Sequence, residues 1–350
     1  ILRWIVDEHA LADLVAGIPT LGLVVLTAAT LLVLSKGAEW MIEGAVHLAR
    51  RTGLPKIVIG ATIISLGTTT PEAFVSVMAA WMGNPGLALG NGVGSIICDT
   101  GLIFGLTCLL STVPVNRYIL NRTGWVQVGV ATLLVIISLV ALARVPEQPT
   151  LHRWVGFFFL TLLCVYMYIT YSWARNGGEA ASGEDAPDEG KIAPLGMALV
   201  QCLGGLSLVV VAARVLIPSA TELAGRMGVP DDVIAATMVA FGTSLPELMT
   251  AITAVRKGHP EITVGNIVGA DVLNCLFVIG ASAAASPLEV PPNFFLFHFP
   301  AMLIILYSFR AFITMNKDGV FKRWQGAWLL GIYLIYLLLQ YGFNIGRPAG

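Results

Sequence analysis

Charge is what this sequence is short of. Of its 350 residues only 12% are Asp, Glu, Lys or Arg, about half the roughly 25% that a soluble globular domain carries. Sulfur and imidazole are sparse as well, at five cysteines and five histidines. Cys98, Cys108, Cys164, Cys202 and Cys275 all fall inside apolar runs with no C-x-x-C pair. That excludes a zinc ribbon or a disulfide framework and leaves them as small buried apolar side chains. Without an H-E-x-x-H run there is no zincin helix. No basic patch suited to nucleic acid is present, and a net charge of −1 says nothing about partners, because here the position of charge matters and its total does not.

What fills the sequence instead is apolar: 56% hydrophobic residues and a mean hydropathy of +0.81. Runs long enough to cross a ~30 Å hydrocarbon core, about 20 residues each, occupy 19–49, 55–82, 86–113, 123–143, 154–174, 194–225, 231–255, 261–286, 293–315 and 324–342. Barrel strands alternate apolar and polar over about ten residues, whereas these runs are continuously apolar for twice that. The expectation is an all-α, multi-pass protein of a cell membrane with ten transmembrane helices. Residues 1–18 read as a short lead-in without a cleavable signal and 343–350 as a tail. With the N-terminus outside, thirteen Lys and Arg, Arg310 among them, fall in inner connections and five in outer ones. The positive-inside bias then puts both termini on the extracytoplasmic side.

The sequence is one unit written twice. Shifting residues 60–105 by 175 onto 235–280 gives 14 identities in 46 positions, Glu72 on Glu247, Asn91 on Asn266 and Gly94 on Gly269 among them. The halves are 19–174 and 194–342, five helices each, and an odd number places the second copy upside down. Between them, 175–193 is rich in Gly, Ala and acids, without apolar periodicity, and reads as a solvated cytoplasmic linker.

Each copy carries a carboxylate behind a helix breaker, in "GTTTPE" (67–72) and "GTSLPE" (242–247). Proline removes an N–H and clashes with the preceding turn, so each helix is expected to break near the bilayer midplane, freeing carbonyls around Ser65–Leu66 and Ala240–Phe241. Broken helices at that depth line cavities in transporters. Asp99 and Asn274 each follow their glutamate by 27 residues. The half-helix out and the return helix are of nearly equal length, roughly 17 and 18 Å, which brings Glu72, Asp99, Glu247 and Asn274 to one depth. No Lys or Arg lies in either repeat apart from Arg256 and Lys257 at the inner surface. Ionised acids at the bilayer centre cost at least about 2.5 kcal/mol each, so protons or solution cations must neutralise them. An oxygen-only set suits a hard cation such as Ca²⁺. Its candidate members also include the hydroxyls of Thr68, Thr69, Thr243, Ser244 and Ser95. Asn91 and Asn266 sit near helix starts and read as caps; Gly90, Gly94, Gly265 and Gly269 read as close-packing positions. Lys36, Glu39 and Glu43 share a helix face and pair locally; His259 and His298 read as structural.

The segments "GATIISLGTTTPE…GNGVGSIICD" and "AATMVAFGTSLPE…GNIVGADVLN" resemble the alpha-1 and alpha-2 repeats of the sodium/calcium exchangers, in the cation/calcium antiporter superfamily. The resemblance covers all ten helices in order. It implies an antiporter with a Ca²⁺ site flanked by Na⁺ sites, two long gating helices (19–49 and 194–225) that slide over the other eight, no resident cofactor, and a single chain sufficient for transport. Carried over by motif, Glu72 and Glu247 are the central ligands, joined by Thr68, Thr69, Thr243, Ser244, Ser95, Asp99 and Asn274. The chain departs from the family pattern in three places. Asp99 and Asn274 exchange the usual Asn and Asp. "GAD" replaces "GSN", so Ala270 loses a hydroxyl and Asp271 adds a fourth acid. Thr69 stands where Ser is commoner.

Na⁺-driven Ca²⁺ exchange is the leading reading. Ca²⁺/H⁺ exchange and a K⁺-dependent variant stay open, because protons also neutralise acids and the 99/274 pair is altered. An intramembrane aspartyl protease on Asp99 and Asp271 fits the hydroxyl-rich, duplicated surroundings poorly. A purely regulatory calcium-binding protein has no need of two inverted halves.

Overall fold

The computed structural model describes residue 11 and residues 14–52, 56–81, 83, 85–115, 117–176, 193–227 and 244–342. In the first half, α1 (Thr20–Thr52) is followed by α2, which starts as Lys56–Ile59, widens into a π turn at Gly60–Ile64 and closes as Ser65–Thr68. Then come α3 (Thr70–Trp81), α4 (Pro85–Cys98, a π turn at Asp99–Phe104, then Gly105–Leu110), α5 (Arg117–Arg144) and α6 (Arg153–Asn176). The second half holds α7 (Leu195–Arg226), α8 (Leu245–Arg256) and α9 (Pro260–Leu273, a π turn at Asn274–Ile279, then Gly280–Ala285). It ends with α10 (a π turn at Phe294–His298, then Phe299–Met315) and α11 (Arg323–Leu337 with a π turn at Leu338–Gly342).

Seven helices among the described residues are long and apolar enough to cross a membrane. The other three expected spans differ for separate reasons. The run at 55–82 is divided between α2 and α3; the run at 231–255 is described only from Ser244; and α11 is short as an α-helix and lengthened by its π turn. Residues 177–192 of the expected linker, residues 1–10, 12 and 13 of the lead-in and the tail 343–350 lie outside the described residues. The chain is also not wholly helical. Strand β1 (Val113–Pro114) pairs antiparallel with β4 (Val320–Phe321), and β2 (Thr150–Leu151) with β3 (Leu288–Glu289). These two-residue ladders satisfy the backbone of loops that leave their helices at the membrane rim.

The 175-residue repeat is repeated in the backbone. The π turns at Asp99–Phe104 and Asn274–Ile279 occupy equivalent positions, as do Pro85–Cys98 and Pro260–Leu273. A methyl group added at Gly105 would lie 3.0 Å from the Gly326 carbonyl, and one at Gly280 would lie 3.0 Å from Phe159 Cβ and 3.5 Å from the Gly156 carbonyl. So α4 meets α11 through the same kind of close contact by which α9 meets α6. Helices α4 and α9 are buried over most of their length and form the centre, while α1, α5, α6 and α7 expose most of theirs. Exposed Phe157, Tyr168, Val200 and Ile335 give the outer surface an apolar band. Trp81, Trp154, Trp324 and Trp328 are exposed near helix ends, where amphipathic rings sit at a membrane interface. Cys164 is exposed on α6, against the expectation of burial, while the other four thiols are buried. A small thiol is as compatible with an apolar surface as with a core.

Long-range contacts sort the loops onto two ends. At one end Arg51 donates to the Ala193 carbonyl (2.6 Å), Lys257 pairs with Glu43 (2.6 Å), Lys56 with Glu261 (3.2 Å), and α9 packs on β1, which pairs with β4. At the other, Arg226 donates to the carbonyls of Ile18 and Ala16 (2.8 Å each), and β3, which pairs with β2, packs on α4 near Gly86. Lys36 and Glu39 pair locally (2.8 Å), but Glu43 reaches across to Lys257 instead. Arg310, expected in a connection, lies inside α10. Its guanidinium donates to Asn121 (2.6 Å) and stacks on the Trp125 ring at 4.4 Å, the way a long cationic side chain covers apolar surface while its head finds polar partners.

Candidate cation site

The break in the first repeat is a single residue. Thr69 separates α2 from α3, with its N–H still donating to the Ser65 carbonyl (2.9 Å) and its own carbonyl accepting from Ala73 (3.1 Å). The expected free carbonyl at Ser65 is therefore engaged; it also accepts from Thr68 Oγ1 at 3.3 Å. The physical reason is register: Pro71 removes the donor of the carbonyl four residues back, at Gly67, not the one at Ser65. Pro71 opens α3 as proline commonly opens a helix and leaves Glu72 in the first turn, where the helix dipole favours a carboxylate. The second repeat is built alike. Ser244 precedes α8, Pro246 stands in its first turn, and Glu247 is its first-turn acid. Thr243 and Ala240 lie outside the described residues.

Asp99 and Asn274 open the two π turns, where the widened ring disturbs the backbone hydrogen-bond ladder, a feature common at functional sites. Glu72, Glu247, Asp99, Asp271 and Asn274 are each 1% exposed. Glu72 lies within electrostatic reach of Glu247 and Asp99, and Asp99 within reach of Glu247 and Asp271. The structure thus gathers acids from α3, α4, α8 and α9. Thr68 and Thr69 lie beside Glu247, and Ser244 beside Asp99. Yet Thr69 Oγ1, Ser95 Oγ, Ser244 Oγ, both oxygens of Glu72 and of Asp99, Glu247 Oε2 and Asn274 Oδ1 make no hydrogen bond of ordinary geometry. Among the described residues no ion pair involves any of the four acids. Nor do three His, Cys, Asp or Glu side chains close into a metal cage by themselves, so a bound cation would need hydroxyls, amides and carbonyls as well.

The two asparagines are not helix caps. Asn91 Nδ2 donates to the Glu72 carbonyl (3.3 Å) and to Ser76 Oγ (2.9 Å), and Asn266 Oδ1 accepts from Thr68 Oγ1 (3.4 Å). Both lie inside helices and tie one motif element to another. Gly265 and Gly269 do allow close approach. A methyl group added at Gly265 would overlap the Ile57 carbonyl, and one at Gly269 would lie 2.6 Å from the Ala61 Cα. The segment that the repeat sets against Gly90 and Gly94 is largely outside the described residues. His298 bonds Tyr336 Oη (2.9 Å) and Asn293 (3.2 Å), and His259 lies 3.5 Å from Glu261, so the partners found for both are outside the four central acids. Two residues escaped the sequence reading. Thr100 and Gln127 both donate to Asp271 Oδ2, Gln127 at 2.5 Å. The available signal for Gln127 was a lone amide within the apolar run "WVQVGV".

The profile of the family described as "Sodium/calcium exchanger protein" matches residues 22–172 and 197–342. The chain belongs to that family. It is 32% identical over 317 residues to inner membrane protein YrbG of Escherichia coli, covering 89% of this chain and 94% of YrbG. It is 27% identical over 342 residues to the sodium/calcium exchanger MaX1 of Methanosarcina acetivorans, covering 89% and 96%. Among solved structures, the sodium-calcium exchanger NCX_Mj soaked with Na⁺ and no Ca²⁺ aligns with a TM-score of 0.76 at 26% identity, over 91% of this chain and 98% of that one. As a member of the sodium/calcium exchanger family the chain is a membrane antiporter in type rather than an enzyme.

Proposed function

We propose that this exchanger moves Ca²⁺ against Na⁺ by alternating access, with the cations held between the two repeats by Glu72, Glu247, Asp99, Asn274, Thr68, Thr69, Ser95 and Ser244. Thr243 and the Ala240 carbonyl are the second repeat's counterparts of Thr68 and Ser65. The observation that carries the proposal is the set of buried oxygens, nearly all acceptors, with neither hydrogen bond nor ion pair among the described residues. Buried acceptors of this kind need a partner. A solution cation supplies one that can leave again, whereas a fixed Lys or Arg does not. MaX1 and NCX_Mj carry the names of sodium/calcium exchangers, which supports these two ions as substrates.

Ten crossings in two inverted halves account for the loop sorting. A chain that starts at the Arg226 end and alternates brings the connections at 52–56, 111–117, 176–193, 256–260 and 316–322 to the other end, where the cross-loop pairs are found. That end carries most of the lysine and arginine and is assigned to the cytoplasm, with both termini outside. The deciding measurement is ⁴⁵Ca²⁺ uptake into proteoliposomes loaded with Na⁺, with K⁺, or with a proton gradient. Uptake that needs internal Na⁺ supports the proposal. Uptake driven by protons alone, or by Na⁺ only when K⁺ is present, replaces it with one of the two related exchange modes.

A further inference from the structure

Next to the central cluster is a second arrangement of buried oxygens that the exchange cycle above does not use. Asp271 sits on α9, 1% exposed. Its Oδ2 accepts from Thr100 Oγ1 in the π turn of α4 and from Gln127 Nε2 on α5 at 2.5 Å. Its Oδ1 has no partner, and neither has Oε1 of Gln127, a residue that is itself 1% exposed and aimed at Asp271 by its own hydrogen bond. Two donors on one oxygen fix the orientation of the carboxylate. The unpartnered atoms left over are both acceptors, and with three helices meeting there, nothing described donates to them.

We propose that Asp271, Gln127 and Thr100 bind one alkali cation in addition to the ions of the central cluster. The ligands are Asp271 Oδ1, Gln127 Oε1 and the free lone pairs of the Thr100 hydroxyl, which remains an acceptor while it donates. One carboxylate with two neutral oxygens supplies a single negative charge and few ligands. Ca²⁺ asks for six to eight oxygens, so the stoichiometry of charge matches a monovalent ion. Asp99 lies within electrostatic reach of Asp271, so an ion here also lowers the repulsion that Asp271 adds to the central acids. The inference deepens the exchanger reading and rests on it only for the role of that ion in the cycle.

The test is a binding measurement on the whole purified chain in detergent. Thermal unfolding is followed at saturating Ca²⁺ while NaCl, KCl or choline chloride is raised at constant ionic strength. Na⁺ or K⁺ is expected to stabilise the wild type beyond choline, and comparing the two salts identifies the preferred ion. Asp271→Asn should raise the half-saturating concentration about tenfold or more, the factor equivalent to ~1.4 kcal/mol. The near-isosteric Gln127→Leu should raise it several-fold and decides the matter if Asp271→Asn does not fold. In a Glu72→Gln/Glu247→Gln background, with the central cluster disabled, the alkali response should persist, and Asp271→Asn should weaken it by the same factor. An alkali response absent from the wild type, or unchanged in both single variants, overturns the proposal. A protein that shows the response but no Na⁺-driven Ca²⁺ flux keeps this site and loses the exchanger reading, so the two failures are told apart.

Discussion

Glu72 and Glu247 are first-turn residues of half-helices, buried, and without fixed counter-charge among the described residues. Glu→Gln at either position keeps the volume and removes the charge that attracts a cation. Ca²⁺ uptake should fall about 100-fold or more, the equivalent of ~2.7 kcal/mol of lost binding, with an unchanged size-exclusion profile. Uptake at the wild-type rate in either variant would move the site elsewhere. Asn91 calls for the opposite outcome. It supports the Glu72 backbone through its amide and touches Ser76, so Asn91→Ala should cost about 1 kcal/mol of stability, the net worth of a typical hydrogen bond, while transport persists at a reduced rate. A differential melt beside a flux assay separates the two effects. At this scale the acids were readable from the sequence, because a carboxylate after Gly and Pro inside an apolar run has few structural uses. The roles of Asn91 and Asn266 were not. Whether a polar side chain caps its own helix or bonds a neighbouring one depends on which helix lies beside it, and a single sequence does not carry that information.

Helices α1 and α7 run 33 and 32 residues, about 50 Å each at 1.5 Å per residue, well beyond the ~30 Å hydrocarbon core. They pack along each other through glycines. A methyl group at Gly37 would lie 2.8 Å from Leu208 Cβ and 2.9 Å from the Gly205 carbonyl, and one at Gly205 would lie 2.6 Å from the Gly37 carbonyl. Backbone cannot rotate away as a side chain can, so Gly205→Val should destabilise the chain by roughly 1–3 kcal/mol and slow any sliding of this pair over the core. Gly129→Ala on α5 is the internal control. Nothing lies within 4 Å of an added methyl there, and a neutral or slightly stabilising change is expected. Equal losses at both positions, measured by thermal unfolding, would show that glycine content and not helix contact sets stability. Among the described residues the helix bounds were mostly legible from hydropathy to within a few residues, although α5 starts at Arg117, ahead of the expected run from 123. The π turns were not, because their widening answers to packing and leaves no compositional mark.

For the molecule as a whole, a cation held by the central acids as proposed above should stabilise the folded chain. Ca²⁺ at 100 times its dissociation constant should add about 2.7 kcal/mol, reversed by a chelator and absent from the Glu72→Gln/Glu247→Gln variant. A melting temperature indifferent to Ca²⁺ and to chelation would mean that the acids do not meet around a divalent ion. The same logic explains why the two repeats must fold together, since neither half encloses the cluster alone.

By itself the sequence determined that the chain lives in a membrane, that it is two copies of one unit, and that each copy sets acids inside an apolar run. Those conclusions follow from hydrophobic run length, from identity at a fixed spacing and from the free energy of burying charge, all local or one-dimensional properties. Only the tertiary structure decided which acids come within reach of one another, that the Ser65 carbonyl keeps its backbone donor, and that Asp271 is held by Thr100 and Gln127 from two other helices. Those depend on the angle and depth at which helices cross, which the packing of many side chains sets together.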